Sequence, residues 1–166
     1  DDNLWRFDAA TEQWTLIQPD SERPSGRFDH AAAWDSVNGR FLVFGGQGAG
    51  FRADLWAYDP ATHAWSQLAS APQARSLVRG TFDALRGLFI VFGGWSQDLG
   101  GTFAKTDYDT LLAYDVATNT WRVLPSSTPG PSARFQYALE YDPVGNQLLL
   151  FGGFRFTSSG PGDPYI

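Results

Sequence analysis

Cysteine and methionine are both absent from this 166-residue sequence. Without cysteine, the chain has no disulfide, no thiolate metal site and no thiol nucleophile. The missing methionines include an initiator, so we expect either a processed product or a piece of a longer protein. The repeats described below favour the piece of a longer protein.

Positive charge and long apolar runs are also scarce. The formal net charge is −6, whereas proteins that bind nucleic acid concentrate Lys and Arg on their contact surface. No apolar stretch approaches the ~20 residues that a membrane-spanning helix needs, and the first residues, Asp1–Asn3, do not resemble a signal peptide. We therefore expect no nucleic-acid partner and no transmembrane segment, while the cellular compartment stays open.

Aromatic and turn-forming residues, by contrast, are abundant. Aromatic residues make up 16% of the chain, which also contains 18 Gly and 10 Pro. Large rings fill the space between packed sheets, and Gly and Pro reverse the chain. This composition predicts an all-β protein of many short strands, without long helices.

One phrase occurs three times, a run of large apolar residues that ends in two glycines. The glycine pairs are Gly45 and Gly46, Gly93 and Gly94, and Gly152 and Gly153. Four or five apolar residues are too few for a buried helix and fit a strand covered on both faces. The glycines allow a positive φ and a close backbone approach where the strand ends. Recurrence at roughly 50 residues indicates an array of similar units.

Fixed neighbours precede each glycine pair. An arginine lies eighteen residues before the first glycine in every copy, at Arg27, Arg75 and Arg134. Between arginine and glycines come an aromatic residue, an aspartate and a short turn that contains glycine. Two apolar runs joined by such a turn predict a β-hairpin. This hairpin would supply the first and second strands of each repeat.

A second phrase follows the first two glycine pairs after a loop of variable length, and another copy stands near the start of the chain. In each of these three copies an aromatic residue followed by aspartate lies seven residues before a tryptophan. The pairs are Phe7 and Trp14, Tyr58 and Trp65, and Tyr114 and Trp121. Asp and Thr between them can bond to neighbouring backbone groups and hold a tight reversal. The phrase predicts a second hairpin with the third and fourth strands of a repeat.

The glycine pairs, the aromatic–Asp phrase and the spaced tryptophans resemble the kelch repeat over essentially the whole chain. The resemblance implies a segment of a β-propeller, built of four-stranded antiparallel blades around a central channel. We expect a half blade over 1–18, full blades over 19–70 and 71–125, a half blade over 126–154, and a loop or tail over 155–166.

Three blade equivalents cannot close a ring, because propellers use ~4–8 blades. The first alternative is that further blades come from the same, longer chain, and this is the one we favour. The second is that two copies form a six-blade ring in which each half blade is completed by its partner. The third is a stable open arc, which would expose more apolar surface than soluble monomers tolerate.

The three arginines are the first candidates for partner binding. In kelch proteins that bind acidic peptides, arginines at the start of the first strand line the channel mouth, so the resemblance implies this role for Arg27, Arg75 and Arg134. Guanidinium groups facing one opening can each bind a carboxylate with two hydrogen bonds. The alternative is that each arginine pairs with an aspartate of its own or the next blade and fixes packing. Recurrence in every repeat favours this alternative.

Two further stretches are candidates. The residues after the arginines differ between copies. A binding face would show such variation, and so would neutral drift. The candidates for partner contacts in these stretches are Phe28, His30, Phe135 and Tyr137. The loop between the second and third strands spans 13 residues from first glycine to aromatic in one copy and 21 in the next. In the longer loop, Trp95 and Phe103 could contact a protein or a sugar. A tolerated insertion is the alternative.

The sequence offers little for catalysis or a cofactor. His30 and His63 are the only histidines and fall in different repeats. Asp98, Asp107 and Asp109 lack the spacing of a calcium-binding EF-hand loop. We predict a non-catalytic protein-interaction or scaffold module without a cofactor, whose protein partner could present an acidic segment. The alternative is a carbohydrate-binding or enzymatic propeller whose site is completed elsewhere.

Overall fold

The computed structural model describes residues 1–19, 22–98, 104–157 and 160–161, and the regular elements in these ranges are all β-strands. A hairpin comes first, made of β1 (Leu4–Asp8) and β2 (Gln13–Ile17). The first complete blade pairs four antiparallel strands in chain order: β3 (Ala31–Asp35), β4 (Arg40–Phe44), β5 (Leu55–Asp59) and β6 (Ala64–Leu68). The predicted all-β fold class is confirmed.

The second blade repeats this order with a small hairpin inserted in the middle. Its elements are β7 (Arg79–Asp83), β8 (Leu88–Phe92), the inserted β9 (Trp95–Gln97) and β10 (Lys105–Asp107), then β11 (Leu111–Asp115) and β12 (Thr120–Leu124). The blade sheet runs β7-β8-β11-β12, and β9 pairs only with β10. The remaining strands are β13 (Ala138–Asp142), β14 (Gln147–Phe151), β15 (Phe156–Thr157) and β16 (Gly160–Pro161), which form two separate hairpins.

Aspartates at the strand ends hold the tight turns. After β3, Asp35 Oδ1 accepts hydrogen bonds from the backbone N–H groups of Val37 (3.1 Å) and Asn38 (3.0 Å). The Asp83 carboxylate makes the same bonds after β7. After β11, the Asp115 carboxylate accepts from the two corresponding N–H groups. The aspartate of each phrase therefore acts as predicted, because it satisfies turn donors that the sheet leaves without a partner.

The aromatic residue and the tryptophan of the second phrase face each other across the hairpin. They are directly opposite partners in the strand register, with ring centroids 5.1, 5.4 and 5.5 Å apart in Phe7–Trp14, Tyr58–Trp65 and Tyr114–Trp121 respectively. Tilted aromatic pairs at this distance stabilise a cross-strand contact by ~0.5–1.5 kcal/mol beyond their burial. The fixed spacing of seven residues is therefore the register of a hairpin.

Each blade packs on the next one through the second strand. Leu42 and Phe44 are fully buried in a core shared with Phe89 and Val91 of the second blade. The Trp121 ring lies 4.8 Å from Phe44, and its Nε1–H donates to the carbonyl of residue 69 at 2.8 Å. The first strands β3, β7 and β13 are neighbours. The blades thus form an arc in which equivalent strands lie side by side.

The hairpin of β13 and β14 continues this arc, and within the described residues one of its apolar faces is left open. Ile90 and Phe92 of β8 are each 3% exposed, because β13 and β14 cover them. The equivalent residues of β14, Leu149 and Phe151, are 54% and 84% exposed.

The described residues include no helix that is long and apolar enough to cross a membrane.

Candidate functional site

One end of the blades collects the starts of the first strands, the glycine pairs and the loops that follow them. The residue after each arginine pairs there with the residue after each glycine pair, as isolated antiparallel bridges: Phe28 with Gln47, Ser76 with Trp95, and Phe135 with Phe154. We call residues 27–30, 45–54 and their counterparts in the other repeats the loop face. The loop face is the surface on which we expect partner contacts.

A hydrogen bond explains the constant spacing between arginine and glycine. In each repeat the arginine Nη1 donates to the carbonyl of the first glycine, at 3.1 Å for Arg27–Gly45, 3.0 Å for Arg75–Gly93 and 3.0 Å for Arg134–Gly152. The spacing of eighteen residues thus spans a complete hairpin, whose second strand ends beside the start of the first. The arginine joins the two ends of this hairpin.

Arg27 is held by an aspartate of its own blade. Its Nη1 and Nη2 donate to the two carboxylate oxygens of Asp54 at 2.8 and 2.9 Å, and Trp56 Nε1 donates to the same carboxylate at 2.7 Å. Burial raises the pKa of Asp54, but these hydrogen bonds and the nearby positive charge outweigh it and hold the pKa below its usual value. The Arg27 side chain is only 5% exposed.

Arg75 is entirely enclosed. Its guanidinium donates to the carbonyl of Thr110 at 3.0 Å and to Thr110 Oγ1 at 2.8 Å, and it lies 4.2 Å from the ring centroid of Tyr108. Burial lowers the pKa of Arg75 to about 10. Thr110 occupies the position of Asp54, immediately before the third strand, so an uncharged residue replaces the aspartate that we expected. The side chain does not reach the surface.

Arg134 is the most exposed of the three arginines. Its Nε donates to the carbonyl of Ser132 at 3.1 Å, in addition to the glycine bond described above. No residue equivalent to Asp54 or Thr110 faces it within the described ranges. All three arginines therefore belong to the segments of the loop face, and each donates a hydrogen bond to an acceptor of its own repeat. That they bind a partner stays a prediction.

The residues after the arginines divide into surface and core. The Phe28 ring is 56% exposed, whereas the side chains of Phe135 and Tyr137 are 0% and 3% exposed. The Tyr137 hydroxyl donates to the carbonyl of Phe92 and accepts from the N–H of Arg79 (3.2 Å), and burial raises the pKa of Tyr137 to about 12. As a correction, neither Phe135 nor Tyr137 is available as a surface contact among the described residues, because both rings are buried. The Tyr137 hydroxyl also joins β13 to β7 and β8.

His30 lies half-buried beside this region. Burial, followed by the charges of Arg27 and Arg79, lowers the pKa of its imidazole, so the ring is neutral near pH 7. The other histidine, His63, lies in the turn between β5 and β6, where its Nδ1 is 2.9 Å from the hydroxyl oxygen of Tyr58. The two histidines are thus in different parts of the blade, and within the described ranges no three His, Asp or Glu side chains form a possible metal site.

The longer loop contains the inserted hairpin of β9 and β10. Trp95 opens it, and its ring packs against the Phe51 ring in a T-shaped pair with centroids 4.9 Å apart, while Lys105 Nζ lies 5.5 Å from the Trp95 ring centroid. Ser96 Oγ is 2.9 Å from the Tyr108 hydroxyl. Phe103, the other aromatic candidate of this loop, lies outside the described residues. The described parts of the insertion therefore include two paired strands, and Trp95 is the first residue of β9.

A groove of about 600 Å³ runs between this hairpin and the shorter loop of the first blade. It is lined by Gly50, Phe51, Ala74, Ser96, Gln97, Asp98, Ala104 and Thr106. Its walls combine an aromatic ring with hydroxyl, amide and carboxylate groups. Sequence analysis did not single out Phe51, because its loop is short and its contact with Trp95 forms only when two blades are packed.

Comparison with known proteins agrees with the geometry. A family model described as the KLHDC2/KLHL20/DRC7 Kelch-repeats domain matches residues 1–155. Multiple epidermal growth factor-like domains protein 8 of Homo sapiens is 34% identical in a 164-residue alignment that covers 93% of this chain and 6% of that protein. Its Mus musculus counterpart is 33% identical over the same shares. The chain therefore spans a small part of the length of these relatives.

Proposed function

Because this chain belongs to the kelch-repeat family, we propose that it is a non-catalytic protein-interaction domain that binds an extended segment of a partner protein on the loop face. The groove between Phe51 and Thr106 carries the proposal. It is the place where the two complete blades bring together side chains that are far apart in sequence. A groove bordered by rigid strands and an aromatic ring is a common form of peptide site.

The chemistry of the groove favours a partner segment with an apolar side chain next to a basic one. Phe51 and Asp98 both line the groove, so its surface combines an apolar ring with a carboxylate. The formal net charge of the chain is −6, which attracts a basic segment over a distance of about one Debye length. The guanidinium groups of Arg27 and Arg75 bond within the blade, so they add little attraction for an acidic segment.

The aromatic geometry also favours a peptide over a sugar. A sugar ring stacks on an open aromatic face, whereas the Trp95 ring already packs against Phe51 and has the ammonium group of Lys105 over one face. The Thr106 hydroxyl, which lines the groove, suits a hydrogen bond to an extended backbone. We therefore place the alternative of a carbohydrate-binding propeller second.

Selection from a random peptide library displayed on phage, with the purified chain as bait, tests the proposal. The enriched peptides are synthesised with a fluorophore and their Kd is measured by fluorescence polarisation. We expect peptides that pair apolar with basic residues. Thr106→Arg, which narrows the groove and adds a positive charge, should weaken their binding at least roughly tenfold, or about 1.4 kcal/mol.

Val144→Arg is the matched control. Val144 is 96% exposed in the turn between β13 and β14, at the end of the blade opposite the loop face, so the same substitution should leave the Kd unchanged. The proposal is wrong if no peptide is enriched, or if both variants bind the selected peptides as the parent chain does. Enrichment of acidic peptides that depend on Arg134 would instead favour an arginine-lined site.

A further inference from the structure

One arginine of the loop face has a side chain without an acceptor. Arg52 lies in the short loop of the first blade, directly after Phe51 of the groove, and it is half-buried. Its Nε is buried and makes no hydrogen bond, and among the described residues no acceptor faces its Nη groups. A buried donor without an acceptor costs free energy, and few such groups occur in native proteins. The Arg52 guanidinium is therefore placed for an acceptor outside the blade.

The equivalent position of the second blade is occupied by Tyr108. Tyr108 and Arg52 each donate their backbone N–H to the second glycine of the pair in their own blade, at 2.9 and 3.0 Å. The Tyr108 ring contacts the Arg75 guanidinium, and the Tyr108 hydroxyl oxygen is 2.9 Å from Ser96 Oγ. The second blade thus uses this side chain for internal contacts, whereas the first blade has a cation there that makes none of them.

Asp54, the nearby aspartate, is already used by other donors. Its carboxylate accepts two hydrogen bonds from Arg27 and one from Trp56. Burial raises the pKa of Asp54, while these hydrogen bonds and the charges of Arg27 and Arg52 lower it below its usual value. Two guanidinium groups therefore lie near one carboxylate, which bonds to Arg27 and leaves the charge of Arg52 unpaired.

The backbone holds Arg52 at the boundary between the two blades. Besides the N–H bond to Gly46, its carbonyl accepts from Arg75 N–H at 3.0 Å. The loop passes beside the guanidinium, because a Cβ placed on Gly48 would lie 3.4 Å from Arg52 Nη2 and 2.8 Å from the Gly26 carbonyl oxygen. A cation that is already held in place loses little freedom when it binds an anion.

The tip of this loop carries only small side chains between the groove and Arg52. Gly48 and Ala49 are exposed, and no described atom lies within 4 Å of a Cβ placed on Gly50. Gly50 and Phe51 line the groove. A segment in the groove that crosses this tip therefore meets no side chain larger than a methyl group before it reaches Arg52.

We infer that Arg52 binds an oxyanion, a carboxylate or a phosphate, on the partner segment that the groove holds. The source of the anion rests on the proposed function, whereas the anion site itself does not. A guanidinium presents parallel N–H donors that match two oxygens of either group. The segment then has its basic residue in the groove with Asp98 and its acidic or phosphorylated residue beside Arg52. The two charges together fix the direction in which the segment binds.

A titration without any peptide tests the anion site. The side-chain Nε–H signals of the ¹⁵N-arginine-labelled chain are followed while inorganic phosphate or acetate is added at constant ionic strength. We expect the Arg52 signal to shift to saturation, and the signal of Arg122, an exposed arginine on β12, to stay in place. Arg52→Met identifies the signal by its loss and should not lower the Tm, because no hydrogen bond is removed. An Arg52 signal that stays in place, or shifts only in parallel with Arg122, would overturn the inference.

Peptides selected on the chain then test the source of the anion. Each is measured by fluorescence polarisation as selected, with its acidic residue changed to the amide, and with phosphoserine in that place. Arg52→Met should weaken the acidic or the phosphoserine peptide at least roughly tenfold and leave the amide peptide unchanged, and the larger loss identifies the anion. Arg122→Met, the control with the same change of charge, should leave all three unchanged.

The two experiments separate the two proposals. Equal losses for the charged and the amide peptides, or a selected set without acidic residues, would overturn the assignment of the anion to the partner segment. Failure to enrich any peptide would instead contradict the proposed function, and the phosphate titration would still decide whether Arg52 is an anion site.

Discussion

Replacing Gly45 with alanine tests the contact that joins the two complete blades. Gly45 has a φ of +66° and is buried. An added Cβ would lie 2.6 Å from the Arg75 carbonyl oxygen, which accepts the hydrogen bond of Gly46 N–H at 2.8 Å. Gly39 is the matched control, because it has the same φ of +66° with nothing described within 4 Å of its Cβ position. We expect Gly45→Ala to be much more destabilising than Gly39→Ala.

The two variants should differ in free energy of unfolding because their surroundings differ. A left-handed conformation costs a residue with a Cβ roughly 1–2 kcal/mol, partly offset by ~0.4–1 kcal/mol from the stiffer unfolded chain. Gly39→Ala should therefore reduce the free energy of unfolding by about 1 kcal/mol. Gly45→Ala must also displace a backbone carbonyl and lose its hydrogen bond inside the protein, which adds roughly 1–3 kcal/mol. Its total loss should be about 2–4 kcal/mol.

Urea unfolding followed by tryptophan fluorescence measures both variants at one protein concentration. For a chain of this length 1 kcal/mol corresponds to ~2–4 °C in Tm, so thermal unfolding should resolve the pair as well. Equal losses for Gly39→Ala and Gly45→Ala would refute the reasoning, because they would show that only the positive φ matters and that the second blade does not press against Gly45.

Two further predictions concern the bonds of the arc. Tyr137→Phe should reduce the free energy of unfolding by ~1–3 kcal/mol, since it leaves the Phe92 carbonyl and the Arg79 N–H without their buried partner. The control is Tyr141→Phe, which removes a hydroxyl that bonds at an exposed site and should cost less than about 1 kcal/mol. Equal costs for the two variants would contradict the prediction. The lowered pKa of Asp54 stabilises the fold above pH ~4, and this contribution is lost as the pH falls through the folded-state pKa. Urea midpoints measured from pH 7 downward should therefore fall less steeply in Asp54→Asn than in the parent chain, and parallel curves would contradict the assignment.

The repeated phrases predicted the blades well because each encodes a local structure. The distance from Tyr58 to Trp65 is a hairpin register, and the distance from Arg27 to Gly45 is a hydrogen bond across a hairpin. Each of these contacts joins residues fewer than about twenty positions apart, so their spacing in the sequence is enough to predict the contact. The glycine pairs adopt the predicted positive φ for the same reason.

The candidate site was harder to predict because it depends on packing between repeats. The sequence places Arg75 at a channel mouth by resemblance, yet its guanidinium turns inward to Thr110. Phe135 and Tyr137 vary between repeats as surface residues would, but their rings are covered by neighbouring strands. The contact between Phe51 and Trp95 joins loops of two different blades. These three features depend on contacts between segments far apart in the sequence, so no pattern within a single repeat predicts them.

The glycine pair of one blade bonds to the arginine segment of the next, and these contacts between blades build the loop face. Amide hydrogen exchange of the ¹⁵N-labelled chain tests it most directly, because Gly46 N–H and Gly94 N–H donate to the carbonyls of Arg75 and Arg134 across the blade boundaries, at 2.8 and 3.3 Å. We predict that both amides exchange only through openings that approach global unfolding in free energy. Exchange as fast as that of the exposed Gly39 amide would contradict the claim.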